Sequence, residues 1–336
     1  MQRARILETW PVAHIPYAPK TRVHTMAHRS RTHIGSTLPD SADQRISRRA
    51  LLGGAAAAAA ALPLARTTSA APVAADWKVT NDRINQSVCA WCFKPMPLEK
   101  LAAASAAMGI KSIELVPPEQ WDVLRKHGLV CAITSSHGFV KGLNDKANHP
   151  ECLEKLTKAI DATSAAGFPN VITFSGFRNG ISDEDGIANM VAGLKKIVGH
   201  AEKKNVTLCL EVLNSRVDVE MKGHPGYQCD SVEWAAEVCR KVGSPRAKIL
   251  FDIYHVQIMQ GDVITRIRQY HDLVGHYHTA GVPGRNELDD NQELNYPPIM
   301  REIVKTGYNG YVGQEFIPTT DDPIGSLRQA VKLCDV

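Results

Sequence analysis

Asn170-Val171-Ile172-Thr173-Phe174, Thr207-Leu208-Cys209-Leu210-Glu211-Val212-Leu213 and Lys248-Ile249-Leu250-Phe251-Asp252 are three apolar runs rich in β-branched residues. Between them lie two longer stretches with helical periodicity, 186–203 and 232–242. Short apolar runs bounded by turn residues read as buried strands, and the longer amphipathic stretches read as helices. The order strand, helix, strand, helix, strand is the repeating unit of a parallel sheet. The rhythm continues in both directions. Further strands are predicted over 84–89, 112–115, 130–134, 275–279 and 310–315, and further helices over 97–108, 152–166, 263–270 and 324–333. Gly109 and Gly128 end helical stretches, while Gly167-Phe168-Pro169, Gly243-Ser244-Pro245 and Gly307 precede strands. Eight such units in this length predict an α/β protein with a single (β/α)8 TIM barrel. A doubly wound open sheet is the alternative, but no Gly-x-Gly-x-x-Gly loop follows the first strand.

The chain has 336 residues, 44% of them hydrophobic and 22% charged, an ordinary globular balance. Its formal net charge is +4, and much of the basic excess lies before residue 70. The body carries no basic stripe interleaved with aromatics, which argues against a nucleic-acid partner. Residues 1–47 are rich in Arg, His, Ser and Thr and show no apolar period. Ser47-Arg48-Arg49-Ala50-Leu51-Leu52, Gly53-Gly54 and an alanine run to Ala61 follow, with small residues near Ala70 and Ala75. This is the layout of a twin-arginine (Tat) export signal, so residues 1–75 are expected to be a leader and 76–336 the barrel domain. The Tat machinery is then a partner, and the destination is the periplasm or the extracellular space. The apolar stretch is too short and alanine-rich for a stable membrane anchor. Residues 76–336 match the ~250 residues of one barrel.

The eight cysteines include Cys89-Ala90-Trp91-Cys92. A C-x-x-C pair serves redox chemistry or half a zinc site, but the second close pair that zinc requires is missing. The pair therefore reads as structural, like the other cysteines that sit in apolar runs.

Charged groups at strand ends carry the chemistry. Glu211 ends the fifth strand, Asp252 the sixth, His276-Tyr277-His278 the seventh and Glu315 the eighth. A charge after an apolar run is costly if buried alone. In a barrel, however, all C-terminal strand ends open onto one face. Glu211, Asp252, His278 and Glu315 should thus converge. Three carboxylates and one imidazole suit Mn²⁺ or Mg²⁺, with Co²⁺ and Zn²⁺ as alternatives. His137, in Ser135-Ser136-His137 at the third strand end, is expected at the same mouth, as is Arg178 after the fourth. Trp91 and Phe93 after the first strand would form an apolar wall.

The stretch Val274-Gly275-His276-Tyr277-His278-Thr279-Ala280-Gly281-Val282-Pro283-Gly284-Arg285, continuing to Glu287, Asp289-Asp290 and Glu293-Leu294-Asn295-Tyr296, resembles the hydroxypyruvate isomerase family of the xylose isomerase-like barrels. Leu210–Asn214, Asp252–Gln257, Asn85-Gln86-Ser87 and Trp91-Cys92-Phe93 are similar to the same family, so the resemblance covers residues 80–336. It implies that Glu211 and Glu315 bind the metal and act as the acid/base pair, with Asp252 and His278 completing the ligands. Bacterial members usually carry Gln where this chain has His278, and related keto-sugar epimerases carry His. The run 215–227 is longer than the family pattern, and it lies where substrate would enter.

The implied reaction converts hydroxypyruvate to tartronate semialdehyde through an enediolate. Arg285 is the candidate for a substrate carboxylate, and His255 for a substrate hydroxyl or for support of a ligand. A ketose epimerase built on the same ligands, and a non-catalytic exported metabolite-binding barrel, are the alternatives. A metal-dependent endonuclease would need more His ligands and a basic track. The family tends to associate, so a homo-oligomer is open, but no interface is legible.

Overall fold

The computed structural model describes residues 73–336. The Arg48-Arg49 pair and the alanine run of the expected export signal lie outside those residues. Among the described residues no helix is long and apolar enough to cross a membrane.

The three quoted runs form parallel strands where they were predicted: Asn170–Thr173 (β4), Thr207–Glu211 (β5) and Ala247–Asp252 (β6). Outward from them lie Asn85–Cys89 (β1), Ser112–Glu114 (β2), Ile133–Thr134 (β3), Val274–Thr279 (β7) and Tyr311–Gln314 (β8). The eight strands follow the order β2-β1-β8-β7-β6-β5-β4-β3, every ladder parallel. The two ends of that order also meet. The Ile113 N–H donates to the Val130 carbonyl at 3.0 Å, and the Leu115 N–H to the Ile133 carbonyl at 3.0 Å. The sheet is a (β/α)8 barrel.

The helices are Leu98–Met108 (α1), Trp121–Lys126 (α2), His149–Ala165 (α3), Asp183–Lys203 (α4), Val232–Val242 (α5), Ile253–Met259 (α6), Val263–Tyr270 (α7), Tyr296–Lys305 (α8) and Pro323–Cys334 (α9). Their ends follow local chemistry. The side chains of Ser182 and Ser231 accept the Asp185 and Trp234 N–H groups and cap α4 and α5. Gly109 and Gly243 end α1 and α5 at φ 86° and 74°, a left-handed turn that a Cβ disfavours.

Three elements differ from the sequence reading, each for a local reason. β3 is shorter than 130–134 because the Ser112 hydroxyl, not the ladder, accepts the Ala132 N–H at 2.8 Å. α6 was not predicted, since it follows β6 without a connecting loop and strand and helix merge into one apolar run. α8 was also not predicted, because Pro297-Pro298 reads as a helix breaker. Proline is nevertheless tolerated in a first turn, where its missing N–H has no helical partner.

The barrel interior is unusually polar for a fold whose centre is normally filled by branched apolar side chains. Glu114 on β2 is wholly buried, and its Oε2 lies 3.0 Å from His276 Nε2 and 2.9 Å from His278 Nε2. Room for this carboxylate comes from Gly313 on β8: a Cβ there would sit 2.7 Å from both Glu114 oxygens. Gly313→Ala is therefore expected to lower stability by ~1–3 kcal/mol through overpacking, read from the shift in denaturant midpoint. An unchanged midpoint would mean that Glu114 moves aside freely.

Candidate active site

Each ligand candidate is placed by its strand. Glu211 is the last residue of β5 and Asp252 the last of β6. Ladder register sets Asp252 beside His278, and His278 beside Gly313. Glu315 follows β8, held by its N–H donating to the Thr279 carbonyl at 2.9 Å. One ligand atom from each of Glu211, Asp252, His278 and Glu315 lies within 4.8 Å of the others, and all four side chains are buried. His278 Nδ1 is 3.5 Å from Glu211 Oε1 and 2.8 Å from Glu315 Oε2.

The tautomer of His278 tests whether a cation fits. Its Nε2 faces Glu114, an ionised acceptor that fixes the proton there. Its Nδ1 has no hydrogen-bond geometry to any group, although it lies close to two glutamates. Burial opposes protonation of this ring, but Glu315 and Cys89 hold it well above the usual imidazole range, so it is loss of the Nδ1 proton that would set a nitrogen lone pair and three carboxylates around one point. This is a donor set for a divalent cation that accepts oxygen and imidazole ligands.

Arg285 supplies the nearby positive charge. Its Nη2 reaches Glu315 Oε2 at 2.6 Å and Asp252 Oδ2 at 3.4 Å, while Nη1 donates to the Met221 carbonyl at 2.7 Å. The guanidinium carbon sits 5.2 Å from the ring centre of Trp91 and 5.5 Å from that of Tyr254. Both terminal nitrogens of the expected carboxylate clamp are therefore engaged with protein groups. The buried Nε has no partner.

His255 lies on α6 and not in a loop. The Asn214 N–H donates to its Nδ1 at 3.0 Å, so the ring proton is on Nε2. That Nε2 is buried, without a hydrogen-bond partner, 3.6 Å from Asp252 Oδ2. Asp252 has a second duty, since its Oδ1 accepts the His255 N–H at 3.2 Å and caps α6. His137 has both ring nitrogens engaged, by the Lys141 carbonyl and the Thr173 hydroxyl, each at 3.0 Å. Arg178 pairs with Asp183 and Asp230 away from the ligand cluster. Trp91 is more than a wall: its indole N–H donates to Glu315 Oε1 at 2.9 Å. Phe93 packs edge-on against Phe316. All eight cysteines are free thiols and buried, and Cys89 approaches Glu114 Oε2 at 3.5 Å.

Sequence reasoning missed Glu114 and Asn214. Glu114 carried the signal used for the other acids, a carboxylate in an apolar run, but within the strand. Asn214 adjoins the predicted strand end and gave no charge signal.

Residues 102–334 match the family model described as xylose isomerase-like TIM barrel. The chain belongs to that family. It is 28% identical over 237 residues to a human protein provisionally named hydroxypyruvate isomerase, spanning 69% of this chain and 79% of that one. It is 26% identical over 252 residues to 2-oxo-tetronate isomerase of Pectobacterium atrosepticum, spanning 69% and 92% of the two chains. Among solved structures, one titled AP endonuclease, family 2, from Brucella melitensis superposes with a TM-score of 0.64 at 23% identity. That match covers 70% of this chain and 95% of that one, and it speaks for the fold alone.

In this xylose isomerase-like barrel the four ligand candidates do not titrate alike. Burial, and then Glu315, push Glu211 above the ordinary carboxylate range. Burial and Glu315 likewise raise Asp252, to about 7, against the opposing pull of Arg285. For Glu315 the upward push of burial is outweighed by Arg285 and then His278, which hold it well below the usual range. A cation bound by all four needs Glu211 and Asp252 ionised and His278 Nδ1 deprotonated, so binding must expel protons at and below neutrality. Affinity for Mn²⁺ should therefore fall as pH drops below about 7, the value at which Asp252 protonates. Calorimetry in buffers of different ionisation enthalpy should detect proton release on binding. Pure enthalpy independent of buffer would contradict this charge arrangement.

Proposed function

We propose that this enzyme of the isomerase class interconverts hydroxypyruvate, or a close hydroxy-carbonyl relative, with its isomer by moving a proton between neighbouring carbons. The observation that carries the reading is the placement of Glu211 and Glu315 around one His278 nitrogen, at 3.5 and 2.8 Å. Two carboxylates flanking one point can address adjacent carbons of a small substrate as general base and general acid. The names of the human and Pectobacterium relatives support the isomerase class.

For hydroxypyruvate, one glutamate takes a proton from the hydroxymethyl carbon. The other delivers a proton to the former carbonyl carbon. The hydroxyl proton passes to the former carbonyl oxygen, so tartronate semialdehyde forms through an enediolate with nothing gained or lost. Glu211, Asp252, His278 and Glu315 would hold Mn²⁺ or Mg²⁺, which would supply Lewis acidity at the carbonyl and hydroxyl oxygens. Trp91 and Arg285 fix the Glu315 carboxylate through its two separate oxygens. Asn214 fixes the His255 ring so that its Nε2–H is presented as a donor. The Arg285 Nε–H is a second unpartnered donor beside the cluster. Export by the twin-arginine route, resting on Arg48-Arg49 and the apolar run behind them, belongs to the same reading.

A ketose 3-epimerase is the second reading, favoured by an imidazole at His278. It would return the proton to the same carbon from the opposite face. The assay is incorporation of solvent deuterium into hydroxypyruvate by the Mn²⁺-loaded protein. Exchange should depend on metal and fall by ~10²–10⁴-fold in both Glu211→Gln and Glu315→Gln. Metal binding without exchange would remove hydroxypyruvate as substrate, and exchange confined to a ketose would establish the epimerase.

A further inference from the structure

One layer below the four ligand candidates lies a second group of metal-ligating side chains, assembled from three strands. Cys89 ends β1 and Glu114 ends β2, and ladder register sets the two side by side. His276 and His278 stand two residues apart on β7 and so share one face of it, with their rings 5.0 Å apart and nearly perpendicular. All four side chains are wholly buried. Cys89 Sγ lies 3.5 Å from Glu114 Oε2 and 3.8 Å from His278 Nε2. The same carboxylate oxygen is 3.0 Å from His276 Nε2 and 2.9 Å from His278 Nε2. One ligand atom from each of Cys89, Glu114 and His278 falls within 4.8 Å of the others.

The partners of Glu114 are unevenly shared. Three groups converge on its Oε2, while its Oε1 is buried with no hydrogen-bond partner. A buried carboxylate oxygen without a donor is costly, and a cation held by the carboxylate offsets that cost. The distances fit such a cation. Tetrahedral zinc, with bonds of about 2.0–2.3 Å, holds nitrogen and oxygen ligands about 3.3 Å apart and sulfur about 3.5 Å from either. The observed separations lie within about half an ångström of those spacings. The donor set also differs in kind from the one above it. Three carboxylates and an imidazole suit a hard cation, whereas a thiolate with imidazoles suits a softer one. The second cysteine pair that zinc would need in the sequence is replaced here by partners from β2 and β7.

We propose that Cys89, Glu114, His276 and His278 form a second, buried metal site that takes a thiophilic divalent cation, Zn²⁺ or Co²⁺, below the site for Mn²⁺ or Mg²⁺. His278 belongs to both, with its Nε2 facing Glu114 and its Nδ1 facing Glu315, so its ring bridges the two cations. Binding displaces the thiol proton of Cys89 and the Nε2 protons of the two rings. The assignment is independent of the isomerase reading, since Cys89, Glu114 and His276 take no part in the proton transfer.

The probe is Co²⁺, whose bond to a thiolate gives a charge-transfer band in the near ultraviolet. The full chain is produced in cobalt-supplemented medium, and chain stripped of metal is separately titrated with Co²⁺ under reducing conditions. Wild type should hold about two Co²⁺ per chain and show the band. Cys89→Ser should lose the band and about half of the cobalt, the remainder reporting an intact upper site. Cys92→Ser should keep both. Glu315→Gln, which alters the upper site, should keep the band. His276→Gln, which changes a ligand without touching sulfur, should shift it. A wild type without the band by either route overturns the proposal, as does a band that survives in Cys89→Ser or stands unmoved in His276→Gln. A band without deuterium exchange into any tested substrate overturns the isomerase reading and leaves this site standing. Exchange without a band does the reverse.

Discussion

Three carboxylates at the ends of neighbouring strands cannot share a dry pocket as bare charges. That constraint organises the upper half of this barrel. Glu211, Asp252 and Glu315 are each buried where parallel strands run out, and each needs a cation, a proton or a donor. The protein itself provides Arg285 for Glu315 and Asp252, the Trp91 indole for Glu315 and the α6 N-terminus for Asp252. Burial leaves Glu211 and Asp252 inclined to hold protons. The same residues that would be costly in any other core are those a divalent cation requires.

One layer deeper, Glu114 repeats the theme with a different solution. It is ionised, with burial overridden by His276 and His278, which hold its carboxyl well below the usual range. Since it accepts from the Nε2 atoms of both rings, it decides which face of His278 points up the barrel. The absence of a side chain at Gly313 is part of that arrangement. A ligand orientation on β7 thus depends on an acid on β2 and a glycine on β8.

Most of the fold was legible because it rests on periodicity. The strand bounds of β4, β5 and β6 lie within a residue or two of the apolar runs, and α5 and α7 coincide with theirs. The failures are local: α6 merges with β6, α8 begins on two prolines, and a serine hydroxyl takes a ladder position in β3. The site was legible to the extent that charge follows apolar residues, which located Glu211, Asp252, His278 and Glu315 together. The rest depends on contacts across the barrel that one-dimensional spacing does not encode. Nothing in the sequence says that Trp91 reaches Glu315, that Asn214 sets the proton on His255, or that both terminal nitrogens of Arg285 are engaged. His278 lies in the ligand cluster, and the run 215–227 reaches its neighbour Arg285 through the Met221 carbonyl.

Arg285 joins the run 215–227 to the ligand cluster through a single rigid group. One terminal nitrogen is bound to Glu315 and the other to the Met221 carbonyl, with both ends carried by the same planar guanidinium. Because the group cannot flex between its ends, a rotation that frees Glu315 also disturbs the bond to the covering loop. The position of the Met221 backbone and the orientation of the Glu315 carboxylate are thus set by one side chain.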